Sequence, residues 1–206
     1  MPNITSIGAG MYTSLAYVDL PCVEGTGSAG VNIGKGDTPS EWIPEFETGT
    51  GLAFTATDNA VNIGRIREFP NLGIPANIVN VPQYGQAVSS QIAGQSDAPS
   101  MDFTFNYVPE EHAFIEDMLR GGAVYLFRVR LANAKQLTDV DKNNLPTPNE
   151  DNTALVEASD FFFFGKVASF EIVPNLTDSN QLNVSMTIDG EMKGPASYSA
   201  DGSTYE

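Results

Sequence analysis

The sequence predicts a mainly β fold carrying one helix, and three observations predict it. Nineteen glycines and thirteen prolines in 206 residues leave little room for long helices. Several runs alternate apolar with polar residues, the two-residue period of a strand that buries one face. Only the stretch after Pro109 spaces its apolar residues at three and four. At 41% hydrophobic content the chain can bury one sizeable core, so a single domain over residues 1–206 is expected.

Taken in order, Gly8-Ala9-Gly10 leads into a short aromatic and β-branched run, residues 11–18, which Leu20-Pro21 interrupts. The small-residue segment 24–36 reads as a flexible loop, part of an N-terminal arm over about 20–50. Trp42 sits in an acidic, proline-broken stretch and reads as a contact segment rather than core. Leu52, Phe54 and Ala56 alternate with Ala53, Thr55 and Thr57, and Asp58-Asn59 turns into a strand over 61–69. Pro75 and Pro82 confine any strand between them, and residues 83–99 are polar enough to predict a long loop.

The centre of the chain carries the clearest signals. Met101, Phe103, Phe105 and Tyr107 alternate with Asp102, Thr104 and Asn106 as a strand. Pro109, Glu110 and Glu111 then open a helix, with Phe114, Ile115, Met118 and Leu119 on one face, Arg120 in the last turn and Gly121-Gly122 at its end. Tyr125, Phe127, Val129 and Leu131 restore the strand period. A low-hydrophobicity excursion over 133–160 follows. Phe161 to Phe164 cannot all face one side, so either both faces are covered or a bulge near Gly165 splits the pairs. Ala168, Phe170 and Ile172 alternate with Ser169 and Glu171. A polar turn leads to Leu182, Val184, Met186 and Ile188, which alternate with Asn183, Ser185, Thr187 and Asp189.

Charge and chemistry narrow the function. Ten basic against twenty-six acidic residues, a formal charge of -16, exclude a basic footprint for gripping DNA or an anionic membrane. Cys22 is alone, so no internal disulfide forms and a reducing compartment is implied. Residues 1–10 show no signal-peptide pattern, and no stretch is apolar enough to span a bilayer, so no membrane insertion is expected. His112, four residues before Glu116, lacks a Gly-x-Ser-x-Gly nucleophile and reads as a solvent-facing helix residue. With Cys22 it is too little for a zinc site. Asp139, Asp141, Asn143 and Glu150 have the spacing of an EF-hand calcium loop, but Asn144 replaces the turn glycine and Pro146 and Pro148 interrupt it. The competing reading is a solvated acidic loop. No enzyme and no cofactor are expected.

The order of strand, helix, strand, excursion, Phe-x-Gly-x-Val-x-Ser strand, polar turn and alternating strand resembles the major tail tube protein of long-tailed phages, the lambda type in particular. The residues that carry it are Phe103 to Tyr107 with Pro109, Tyr125 to Leu131, Phe163, Gly165, Val167 and Ser169, and Leu182 to Gly190. The resemblance implies a β-sandwich or half-barrel with one flanking helix, whose inner sheets join into a continuous β-barrel tube in the oligomer. It further implies a non-enzymatic virion protein, made in the host cytoplasm, that forms stacked hexameric rings of a non-contractile tail. Implied partners are the tail terminator, tail-tip or baseplate proteins and a tape measure protein in the lumen. DNA would pass without specific binding. Asn183, Ser185, Thr187, Asp189, Ser169 and Glu171 would then face the lumen, while Gln83, Tyr84, Gln91, Ile92 and Trp42 would contact the next ring. The alternatives are the inner tube of a contractile tail or secretion device, and a monomeric β-sandwich module binding calcium or carbohydrate.

Overall fold

A computed structural model describes residues 13–48, 55–56, 59–73, 78–81, 90–93, 100–132, 137–140, 146–148 and 158–197. In the first half of the chain the elements are β1 (Thr13–Val18), β2 (Cys22–Val23), β3 (Ile33–Gly34), α1 (Pro39–Phe46), β4 (Glu47–Thr48), β5 (Thr55–Ala56), β6 (Ala60–Ile63), β7 (Ile66–Glu68), β8 (Ile78–Val81) and β9 (Ser90–Ala93). The second half adds β10 (Ser100–Asn106), α2 (Pro109–Gly121), β11 (Tyr125–Ala132), β12 (Leu137–Val140), β13 (Pro146–Pro148), β14 (Ala158–Val173), β15 (Gln181–Ile188) and β16 (Lys193–Ser197). The fold is mainly β, as the alternating runs predict.

One antiparallel sheet dominates, in the order β6-β1-β11-β14-β15-β10-β7, with β16 also paired to β14. Its two outermost strands, β6 and β7, are neighbours in sequence, separated by Gly64 and Arg65 alone. Three Cα steps span at most roughly 11 Å, so the sheet must curl until its edges meet at that point. Arg65 makes the hop with φ of 63°, a left-handed conformation that costs a non-glycine residue roughly 1–2 kcal/mol. The single strand expected over 61–69 is therefore two strands on opposite edges of a half-barrel.

α2 begins at Pro109 and ends on Gly122, whose φ of 62° lets its N–H reach Met118 O at 2.9 Å. Its Ile115 and Met118 pack into the main core with Leu15, Tyr17, Phe103, Phe105, Phe127 and Phe163. The opposite face of the sheet holds a second core, in which Leu126, Phe162 and Phe164 meet Trp42, Ile43 and Phe46 of α1. Both faces of β14 are thus covered over Phe162 to Gly165. The bulge lies at 167–169 rather than at Gly165, leaving Ala168 as the exposed extra residue.

α1 corrects two expectations. A second helix flanks the sheet, and Trp42, read as a ring contact, is 2% exposed with its indole N–H donating to Gly34 O at 3.0 Å. Glu41 reaches back to the helix start, as in one half of a capping box: it accepts from the Thr38 N–H at 2.8 Å and the Thr38 hydroxyl at 2.9 Å, and Pro39 occupies the first turn. Pro44 inside it removes a backbone donor, consistent with a helix this short.

The segment read as a flexible arm is pinned as well. Within it, β2 and β3 pair in parallel, and the Asp37 carboxylate accepts from Gly27 N and Gly34 N at 2.9 and 3.1 Å. A Cβ on Gly27 or Gly34 would collide with the other's amide nitrogen, so this close approach needs both glycines. The region read as one long loop over 83–99 contains β9, which forms a hairpin with β8, and the later excursion contains the β12–β13 pair.

Because Phe162 and Phe163 are buried on opposite faces of β14, Phe162→Ala and Phe163→Ala should each cost about 3–5 kcal/mol in urea unfolding. A small cost for Phe162→Ala alone would mean that α1 does not cover its face.

Candidate functional site

Beyond the footprint of α1 the outer face of the sheet changes character. Across β10, β15 and β14 the register aligns Thr104, Asn183 and Glu171 in one row, Asp102, Ser185 and Ser169 in the next, and Ser100, Thr187 and Lys166 in a third. Glu68 of β7 stands opposite Thr104 at the end of the first row. Alternation puts the apolar partners of these residues, Met101, Phe103, Leu182, Val184 and Met186, in the core beneath. The bulge in β14 is what keeps Ser169 and Glu171 on the polar side after Lys166.

Neighbouring side chains knit this face. Ser185 Oγ donates to Asp102 Oδ1, Thr104 Oγ1 donates to Asn183 Oδ1 at 3.3 Å, and Thr187 Oγ1 donates to Lys166 O at 3.4 Å. Asp102 and Glu171 bring negative charge and Lys166 one ammonium. Hydroxyls, an amide and carboxylates in rows offer hydration and repulsion of phosphate.

Of the residues expected on a lumen face, Asn183, Ser185, Thr187, Ser169 and Glu171 share this surface. Asp189 lies just past β15, where Lys35 Nζ binds it at 2.7 Å and Glu24 at 2.6 Å, so its charge ties the 24–36 segment to the sheet. Ser100, Asp102, Thr104 and Lys166 belong to the face but escape sequence reasoning. The alternation around Asp102 is plain, yet which strand lies beside it is a matter of register. Gln91 and Ile92 fall in β9, opposite Asn80 and Val79, while Gln83 and Tyr84 lie outside the described residues. Asp139 stands in β12 opposite Thr147, and Asp141, Asn143 and Glu150 lie outside the described residues. Among the described residues no three His, Cys, Asp or Glu side chains gather to hold a metal ion.

A second surface was not anticipated. Ile172, Val173 and Leu176, at the end of β14 and the turn after it, are exposed, Leu176 fully. The alternation had placed Ile172 on the buried face. Residues 172–177 carry no charge. Nearby, Arg67 Nη1 meets Asp178 at 3.0 Å. The backbone N–H of Ser179, then the Arg67 guanidinium, hold the Asp178 carboxyl below its usual value.

No family model and no curated protein sequence matches this chain. Among solved structures it is similar to a chain of the anti-feeding prophage baseplate, at 12% identity and a TM-score of 0.43, covering 66% of this chain and 84% of that one. It is also similar to a chain from the sheath/tube terminator of an extracellular contractile injection system, at 10% identity and a TM-score of 0.42, covering 65% and 87%. A crystal structure of Hcp protein gives 11% identity and a TM-score of 0.37, covering 85% and 88%. Likeness at this level transfers no role to the chain, whose own geometry has to carry any functional reading.

Cys22 gives a chemical check on the pinned segment. Burial pushes its thiol up to about 11, against partial relief from Lys35, so little thiolate is present at neutral pH. Alkylation by iodoacetamide at pH 8 should run at least tenfold slower in the native protein than in urea. Equal rates would show that the segment around β2 is loose.

Proposed function

We propose that this chain is a structural subunit of a phage-type tail tube, which associates with copies of itself to enclose an anionic, hydrated bore. The observation that carries this reading is the polar face across β10, β15 and β14, laid over a core that is already complete on its other side. A face of Asp102, Glu171, Asn183, Ser185, Thr187 and Ser169 needs no ligand to be stable in water. Lining a channel, it would keep a water layer between protein and DNA and repel the phosphates.

The finer reading follows the element order noted in the sequence. Six copies form a ring, rings stack into a non-contractile tube of the lambda type, and DNA passes through it towards the host. A terminator, tip or baseplate proteins and a tape measure protein complete the tail. Gln83, Tyr84, Gln91 and Ile92 remain the proposed contacts to the next ring. Trp42 is withdrawn from that set because its ring is buried under Lys193, whose Nζ stands 4.6 Å from the indole centroid. In its place stands the uncharged tip with Ile172, Val173 and Leu176. Copies of a chain at -16 repel one another, and an uncharged apolar surface is where they meet at least electrostatic cost.

Negative-stain microscopy of concentrated protein tests the reading, with hollow filaments or stacked rings expected. Particles that stay monomeric at every concentration would sink it. Leu176→Asp should abolish those assemblies while leaving the melting temperature of the monomer unchanged, since the side chain is already in water. The doubly substituted chain Asp102→Lys with Glu171→Lys should retain DNA on its tubes at low salt and release it as salt rises, whereas wild-type tubes retain none.

A further inference from the structure

β14 overhangs its neighbours. Gly165 meets Tyr125 of β11 on one side and Ile188 of β15 on the other; before it β14 pairs with β11, and beyond it with β15. Each half therefore has a second side to fill. On the first half β16 fills it, pairing with Ser159, Asp160 and Phe162, whereas on the second half no strand among the described residues does so. Hydrogen bonds show which groups stand open there. Tyr107 N–H donates to Asn180 O at 2.8 Å, so at two-residue steps Leu182 and Val184 also turn their backbones to β10. Asn183 and Ser185 then bond Glu171 and Ser169, which leaves the N–H and C=O of Phe170 and Ile172 pointing away from β15. Ala168 and residues 171–173 are exposed along this stretch. The buried residues of α2 turn to the main core instead, His112 among them against the solvent-facing expectation, its ring 5.4 Å from that of Phe105. A missing neighbour thus explains why Ile172, on the apolar side of the alternation, reaches solvent. At the foot of the same side stands Lys166, whose Nζ lies beside Gly122, within 3.7 Å of where a Cβ would be. Lys35, Arg65, Arg67, Arg120 and Arg130 each hold a carboxylate, but Lys166 has none among the described residues.

We propose that the free side of β14 between Lys166 and Ile172 receives the β7 edge of a second copy as a further strand, with Lys166 paired to Glu68 of that copy. This rests on the tube reading and names the edges that join. β7 is the far edge of the same sheet, bonded to β10 alone among the described residues, and Glu68 on it is exposed. Strand sense alternates from β14 through β15 and β10 to β7, so β7 runs opposite to β14. One copy's β7 can therefore meet another's β14 antiparallel with both polar faces on one side, a head-to-tail contact of the kind that closes into rings. The contact is continuous with the uncharged tip, because Ile172 belongs to both. Charge sets its register. Glu68 stands in the row of Glu171, so copies joined level would bring two carboxylates together. A stagger down to the row of Lys166, of the kind every closed sheet requires, brings Glu68 to an ammonium instead.

Amide hydrogen exchange on the wild-type chain compares dilute protein with its tubes. The Phe170 and Ile172 amides should slow roughly tenfold or more on assembly. Tubes in which both stay fast overturn the proposal and leave the tube reading standing, while protein that never assembles overturns both. Charge reversal gives a second reading. Lys166→Glu and Glu68→Lys should each raise the concentration needed for assembly roughly tenfold at low salt, and the two together should restore it. Both side chains are exposed, so the melting temperature of the dilute protein should not move. A Glu68→Lys chain that assembles more readily than wild type, or a double variant no better than either single, shows that these edges do not meet.

Discussion

The constraint on which this structure depends is the burial of both faces of β14 along its phenylalanine run. Four phenylalanines in succession send two rings to each side of a strand, and each pair needs its own cover. Phe163 stacks on Phe127 at 5.3 Å in the main core, while Phe162 and Phe164 pack against Trp42. A strand of this kind cannot sit at an edge or on a wet face, so the sheet must be built outward from it in both directions. Its length allows that: the first half pairs with β11 and the second with β15. Burying such a run also removes an aggregation hazard from the folded surface.

Other features follow from keeping those two cores dry. α2 packs on the main-core side of the sheet, and α1 covers part of the opposite side. The segment over 22–37 closes around α1 through Asp37, whose backbone oxygen also receives Lys193 Nζ at 2.6 Å. Charge enters this second core only with partners. Arg130 and Asp160 form a two-bond pair, both contacts at 2.8 Å, and the Arg128 guanidinium lies 4.7 Å from the Phe46 ring. Removing one member of such a pair strands the other in a poorly solvated place, so the pair ties β11 to β14 in register.

Where α1 ends, the same sheet turns wet. The polar grid on β10, β15 and β14 is backed by the buried side chains of Met101, Phe103, Leu182, Val184 and Met186, so its exposure is not a sign of an unfinished fold. That division bears on function. A surface with hydroxyls, amides and carboxylates in rows holds water and repels phosphate, which suits the wall of the proposed bore. The apolar tip with Ile172, Val173 and Leu176 has the opposite chemistry, and the proposed contact between copies falls there.

The sequence by itself determined whatever depends on near neighbours. α2 was legible from Pro109 to Gly122 because its caps and apolar spacing are local, and the strands around Phe103, Phe127 and Val184 were legible because alternation is local. Even α1 had a signal in Thr38-Pro39-x-Glu41, outweighed by the acidic residues and Pro44. Tertiary structure alone decided which strands lie side by side, since alternation fixes a face but never a neighbour. It therefore decided that Asp102 joins Ser185, that Ala168 bulges and that Ile172 reaches solvent. It also decided that residues 61–69 divide between two edges and that His112 is buried, because a two-residue hop and a covering strand leave no mark in the residues they affect.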